Sequence, residues 1–102
     1  MSTQTDVIID EKIKTTEHEP SKYNVVFLND DLTPVEWVIS VLTKIFKHTD
    51  TTATDLTMTI HNDGSAVVGT YHYEIAEQKA LETVDCSRVN GFPLQVKVDE
   101  EK

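Results

Sequence analysis

Large apolar side chains recur along this chain with two different periods. Tyr23, Val25 and Phe27 alternate with Asn24, Val26 and Leu28. Both registers carry apolar groups, which predicts a strand covered on one face and half-covered on the other. From residue 35 the period lengthens. Val35, Val38, Ile39, Leu42, Ile45 and Phe46 follow an i, i+3, i+4, i+7 stripe, which predicts a helix over 35–46. Between these two patterns stands a polar block, Asn29-Asp30-Asp31-Leu32-Thr33-Pro34-Val35-Glu36. Thr33 is placed to cap the helix, Pro34 suits its first position, and Glu36 is spaced to close a capping box on Thr33.

The pattern continues with a second helix from 50 or 51 to about 61. Ala53, Leu56 and Ile60 mark its inner face, and five threonines make it depend on packing rather than on intrinsic preference. Asn62-Asp63-Gly64 supplies the stop. A strand follows over 66–71, with Gly69 a position for a bulge or a close approach. A third helix covers about 74–89, with Ile75, Ala76, Ala80, Val84 and Cys86 inward, and Asn90-Gly91 ends it. Leu94, Val96 and Val98 alternate with Gln95 and Lys97 in a last strand. The expected fold class is therefore an α/β, or α+β, sandwich. Three antiparallel strands are packed by three helices in the order β-α-α-β-α-β.

Residues 1–21 are polar and charged, with Val7, Ile8 and Ile13 as scattered apolar positions. They are expected to form a flexible extension, followed by a core over 22–98 and a solvated end over 99–102.

Composition narrows the function. At 102 residues the chain makes one domain, and 38% hydrophobic residues support a small core. Nine Lys plus Arg against 18 Asp plus Glu give a net charge of −9. That disfavours nucleic acid and anionic membranes as partners, since both require clustered cations. The single cysteine, Cys86, leaves no intrachain disulfide and no multi-cysteine zinc site. No apolar run reaches a membrane span, and residues 1–15 lack the apolar core of a leader. The cytoplasm is the expected compartment.

The chemistry gathers around the acidic turn. Packing of the first two helices would bring His61 beside Asn29, Asp30 and Asp31. An imidazole nitrogen, an amide carbonyl and carboxylates are all acceptors, and together they match an ammonium group. Val35, Val38, Thr57, Ile60 and Leu94 would supply an apolar hollow next to it. Such a site would read a free amino terminus followed by a large apolar side chain. Turn-and-cap chemistry alone also accounts for an Asn-Asp-Asp sequence before a helix. A metal held by Asp30, Asp31, His61 and His72 is a further reading, without the close ligand spacing that would support it. No nucleophile motif or phosphate-cradling glycine loop points to an enzyme, and neither a cofactor nor a metal is expected.

The Asn29-Asp30-Asp31-Leu32-Thr33-Pro34-Val35-Glu36-Trp37-Val38 block resembles the bacterial ClpS adaptor family. So do Ile60-His61, Gly64, Gly69, Tyr73-Glu74-Ile75-Ala76-Glu77-Gln78-Lys79 and Pro93-Leu94. The similarity runs without a gap over about 22–98. It implies a non-catalytic adaptor that binds proteins beginning with Leu, Phe, Tyr or Trp. Such adaptors deliver their cargo to an AAA+ unfoldase of the ClpA or ClpC type, coupled to the ClpP peptidase. Carried over by position, Asn29, Asp30, Asp31 and His61 would hold the α-amino group. Thr33, Val35, Val38, Thr57, Ile60 and Leu94 would line the pocket. Glu74 and Lys79 would dock the unfoldase's amino-terminal domain, and residues 1–21 would be the delivery element. The adaptor is expected to be a monomer. Two positions depart from the family, which commonly has methionine at 35 and 57, and Leu32 replaces a frequent aromatic. A structural domain of ribosomal-stalk-like fold, with no ligand pocket, is the alternative reading.

Overall fold

The computed structural model of the protein describes residues 7–10 and 21–101. Its elements are β1 (Val7–Asp10), β2 (Lys22–Leu28), α1 (Val35–Lys44), α2 (Asp50–Asp63), β3 (Ser65–His72), α3 (Tyr73–Val89) and β4 (Gln95–Glu100). From β2 onward this is the β-α-α-β-α-β order that the periodicities predict. β2 is the middle of the antiparallel part, pairing with β3 on one side and β4 on the other. Tyr23, Val25 and Phe27 are buried, while Asn24, Val26 and Leu28 are half-buried. The two-register reading of that strand therefore holds.

The sheet has a fourth strand. β1 lies parallel to β4, with Val7 opposite Val96 and Asp10 opposite Asp99, giving the order β1-β4-β2-β3. The expected flexible extension therefore contains one extended, paired segment, and residues 1–6 and 11–20 lie outside the described ones. The local sequence is Val-Ile-Ile-Asp, rich in β-branched residues that suit strands. Without it β4 would be an edge, a row of unpaired backbone groups. A composition average over 21 residues hides a four-residue strand whose partner lies almost ninety positions away.

The core joins the inner sheet face to the helices. Val25, Phe27, Val96 and Val98 of the sheet meet Val38, Val41 and Leu42 of α1, Ala53 and Ile60 of α2, and Ala76, Ala80 and Val84 of α3. Phe27 and Phe46 cross edge to face, their centroids 5.5 Å apart. The inner stripe of α3 differs from expectation. Ala76, Ala80, Thr83, Val84 and Ser87 are buried, whereas Ile75 is 45% exposed and Cys86 half-buried. Small side chains at those positions let the helix lie close to the sheet. The two polar ones are satisfied: Thr83 donates to the Lys79 carbonyl, and Ser87 accepts from the Trp37 indole at 2.8 Å.

Two local devices shape the frame around the site. The β2–β3 register slips by one residue between Val25 and Val26, leaving Val68 as the extra residue of a bulge. Gly69 beside it has no room for a side chain, because the Tyr71 ring lies against its Cα. The His48 ring nitrogen Nε2 donates to the Val68 carbonyl at 2.6 Å and ties the α1–α2 connection to that bulge. Gly64 closes α2 in the left-handed conformation, φ 94°, as its position after Asn62-Asp63 predicts.

Candidate functional site

The acidic turn is built differently from a capping box. α1 starts at Val35, and its N-cap, Pro34, makes no side-chain cap bond. The organising group is Asp30 instead. Its Oδ1 accepts from the backbone N–H of Leu32 and of Thr33, both at 2.8 Å, and its Oδ2 accepts from the Thr33 hydroxyl at 2.8 Å. This is an Asx-type turn, in which a short acid mimics a backbone carbonyl. Thr33 precedes the N-cap by one residue and its hydroxyl donates to Asp30, so it does not occupy the capping position. Glu36 lies in the first helical turn, where the helix dipole favours an acid.

A single backbone bond brings the turn to the second helix. The Asn29 N–H donates to the Gly64 carbonyl at 2.9 Å. Gly64 itself donates to the Ile60 carbonyl, so residue 29 is stapled to the end of α2. The staple holds His61, three residues before Gly64, beside the turn. The α1–α2 packing completes a cleft of about 360 Å³ lined by Asn29, Asp30, Asp31, Thr33, Pro34, Val35, Val38, Thr57, Ile60 and His61. Nine of the ten residues expected at this site lie on its wall. Leu94 does not: at 1% exposure it sits in the core beneath. Pro34, which was not foreseen as a lining residue, contributes ring surface.

The cleft is graded from mouth to floor. Asn29, Asp31 and His61 are exposed, while Val38, Thr57 and Ile60 are buried. None of the side chains of Asn29, Asp31 and His61 makes a hydrogen bond to another described residue, so the mouth presents unused acceptors. Val35 on the cleft wall is 49% exposed. On the floor, the Thr57 hydroxyl donates to the Ala53 carbonyl of its own helix at 2.8 Å. That bond answers how a hydroxyl is tolerated in an apolar hollow: its proton is already placed.

The second pair of expected functional residues is not in the cleft. Glu74 is exposed in the first turn of α3. The Lys79 ammonium is engaged within the fold. It donates to the Ile45 carbonyl at 2.8 Å and lies 5.7 Å from the Phe46 ring centroid and 5.5 Å from that of Tyr71. Burial raises the pKa of the Tyr71 hydroxyl above its ordinary value.

His72, the fourth residue of the metal reading, ends β3 at the far side of the sheet from the cleft. It lies eight residues beyond Gly64 along the strand, about 26 Å at the rise of an extended chain. No group of three His, Cys, Asp or Glu among the described residues could hold a metal ion. The Cys86 thiol is pushed up, first by burial and then by the nearby Glu82 and Asp85 carboxylates. No helix of the described residues is long and apolar enough to cross a membrane.

Comparison with known proteins identifies the family. Residues 18–97 match the model of the family described as ATP-dependent Clp protease adaptor protein ClpS. The adapter protein ClpS of Treponema denticola is 42% identical over 82 residues, covering 80% of this chain and 81% of its own. That of Campylobacter jejuni strain 81-176 is 41% identical over 83 residues, covering 81% and 86%. Among solved structures, Agrobacterium tumefaciens ClpS2 bound to L-phenylalaninamide is similar, with a TM-score of 0.79 and 42% identity. The match covers 81% of this chain and all of that one. The chain belongs to the ClpS family, the adaptors of the ATP-dependent Clp protease.

Proposed function

We propose that this adaptor captures proteins with a free amino terminus followed by a large hydrophobic side chain, and hands them to an AAA+ Clp unfoldase. The observation that carries the reading is the grading of the cleft, with unused acceptors at the mouth and apolar side chains on the floor. An α-ammonium supplies three donors and a positive charge to Asn29, Asp30, Asp31 and His61. The adjoining side chain would enter between Val35, Val38, Thr57 and Ile60. The similar ClpS2 structure holds a ligand of that chemistry, an aromatic amino acid derivative.

Magnitudes suit capture followed by release. Burying a Leu or Phe side chain contributes about 1.5–3 kcal/mol. Each charge-assisted hydrogen bond to the ammonium adds about 1.5–3 kcal/mol. Ordering the peptide subtracts several kcal/mol. The site binds and orients its ligand; it performs no reaction. The cytoplasm is the compartment in which such a handover would occur.

Delivery uses other parts of the molecule. Glu74 and Lys79 mark the docking face for the unfoldase's amino-terminal domain, Glu74 by direct contact and Lys79 by holding α3 against the end of α1. That face begins where β3 ends, a strand's length from the cleft, so cargo and unfoldase can be held together. Residues 1–21, including β1, supply the element that engages the unfoldase.

Fluorescence anisotropy tests the capture step, using a labelled peptide beginning with Phe, its acetylated form and a Gly-initiated control. Only the free Phe peptide should bind. Binding of the acetylated peptide with equal affinity would remove the ammonium from the argument and sink the reading.

A further inference from the structure

Both threonine hydroxyls on the cleft wall already donate a hydrogen bond within the protein. Thr33 Oγ1 donates to Asp30 Oδ2, and Thr57 Oγ1 donates to the Ala53 carbonyl, each at 2.8 Å. A hydroxyl has one proton and two lone pairs. Once the proton is placed, the oxygen can only accept. Thr33 lies in the turn near the mouth. Thr57 lies on the floor, 4% exposed, and lines the cleft there.

The spacing along α2 sets what this oxygen can meet. Thr57 and His61 are i and i+4, so they share a helix face about 6 Å apart along the axis. With a ligand's amino group at the His61 end, the Thr57 hydroxyl lies deeper by roughly one helical turn. That is the order of length of an aromatic side chain. A phenylalanine or leucine would bring only carbon to that point. A tyrosine hydroxyl or a tryptophan indole N–H would bring a donor.

We infer that Thr57 sets specificity within the proposed pocket: its acceptor-only oxygen selects amino-terminal side chains that carry a donor at their far end, tyrosine and tryptophan, over phenylalanine. This rests on the amino-terminal capture proposed above and adds a ranking to it. The argument is one of paired and unpaired groups. Thr57 loses little when a carbon-only side chain enters, because its proton stays bonded to Ala53. A buried tyrosine hydroxyl without an acceptor would lose its water partners with no replacement, and the Thr57 oxygen supplies one. Selection therefore comes mainly from rescuing donor-bearing ligands, with little penalty on the others.

The test compares peptides that are identical after the first residue, beginning with Phe, Tyr or Trp. They are titrated by anisotropy against the full-length protein and against Thr57→Val and Thr57→Ser. Valine keeps the branched shape and removes the acceptor. Serine keeps the acceptor and loses the methyl group. In the unaltered protein the Tyr peptide should bind about two- to tenfold tighter than the Phe peptide, the range of one neutral hydrogen bond. In Thr57→Val that ratio should fall below one, and the Tyr-to-Phe preference should survive in Thr57→Ser. An unchanged ratio in Thr57→Val, or a Phe preference in the unaltered protein, overturns the inference while leaving amino-terminal capture standing. Failure of all three free peptides to bind the unaltered protein sinks both. A thermal melt confirms that each variant is folded at the assay temperature.

Discussion

Two regions of this molecule carry the family's characteristic residues, and the fold treats them in opposite ways. In the cleft, the side chains of Asn29, Asp31 and His61 face solvent without partners among the described residues, and only Asp30 is used to build the turn. At the junction of α1, β3 and α3, the Lys79 cation is consumed internally by the Ile45 carbonyl and the faces of Phe46 and Tyr71. A cation held in that way fixes where α3 lies, and with it where exposed Glu74 points. The first region offers chemistry to a ligand. The second sets the geometry of a surface. A substitution in each should accordingly move a different observable.

The largest effect on the fold is expected at Lys79. Lys79→Ala removes a charge-assisted hydrogen bond to a carbonyl at the end of α1 and two cation–ring contacts. The combined cost should be about 2–3 kcal/mol. For a domain of this size each kcal/mol corresponds to roughly 4–8 °C in Tm. Calorimetry or a circular dichroism melt reads this directly, and binding of a Phe-initiated peptide below the melt should persist. If the melt were unchanged while association with the unfoldase was lost, Lys79 would be a contact residue, and the contrast drawn between the two regions would fail.

Asp30→Asn should produce the reverse. An asparagine Oδ1 can still accept from the N–H groups of Leu32 and Thr33, since Asn forms the same kind of turn. Its amide can donate to the Thr33 oxygen. The turn should persist, at a cost in stability of about 0.5 kcal/mol or less. One of the two acidic charges of the cleft, however, is gone, leaving only that of Asp31. Affinity for an unacetylated Phe peptide should drop by about ten- to a hundredfold, the loss of one charge-assisted bond. Equal affinities would mean that Asp30 is purely architectural and that Asp31 carries the charge.

What the sequence revealed divides along the same line. The acidic turn, the Gly64 stop and the stripe of α1 are local, and local spacing predicted each of them. The cleft itself was legible only by supposing that the first two helices pack and through the family resemblance, since the Asn29–Gly64 bond that closes it spans 35 positions. The Lys79 clasp spans 34 positions to Ile45, and no local pattern announces it. The inward Thr83 and Ser87 were missed because polar residues were read as outward-facing. Their partners, the Lys79 carbonyl and the Trp37 indole, exist only in the folded chain. Leu94, expected on the pocket wall from both the apolar pattern and the resemblance, is buried in the core and is not among the residues lining the cleft. The expected cap by Thr33 failed because the helix begins one residue later than expected, with Pro34 as its N-cap, so Thr33 stands outside the capping position.

The smallest effect expected sharpens how Lys79 is held. Gly69→Ala would drive a methyl group into the Tyr71 ring, which lies against the glycine. The backbone there is not left-handed, so the cost is steric. It should be about 1–2 kcal/mol as the ring shifts, in the range of modest overpacking. The ring that must move is one of the two over which Lys79 sits. A displaced ring leaves less of the cation–ring contact for Lys79→Ala to remove. The double variant should then be less destabilised than the sum of the two single ones, by about 0.5 kcal/mol or more. Strict additivity in the melts would mean that Lys79 is held by the Ile45 carbonyl and Phe46 alone. Tyr71 would then be a neighbour of the clasp rather than a part of it.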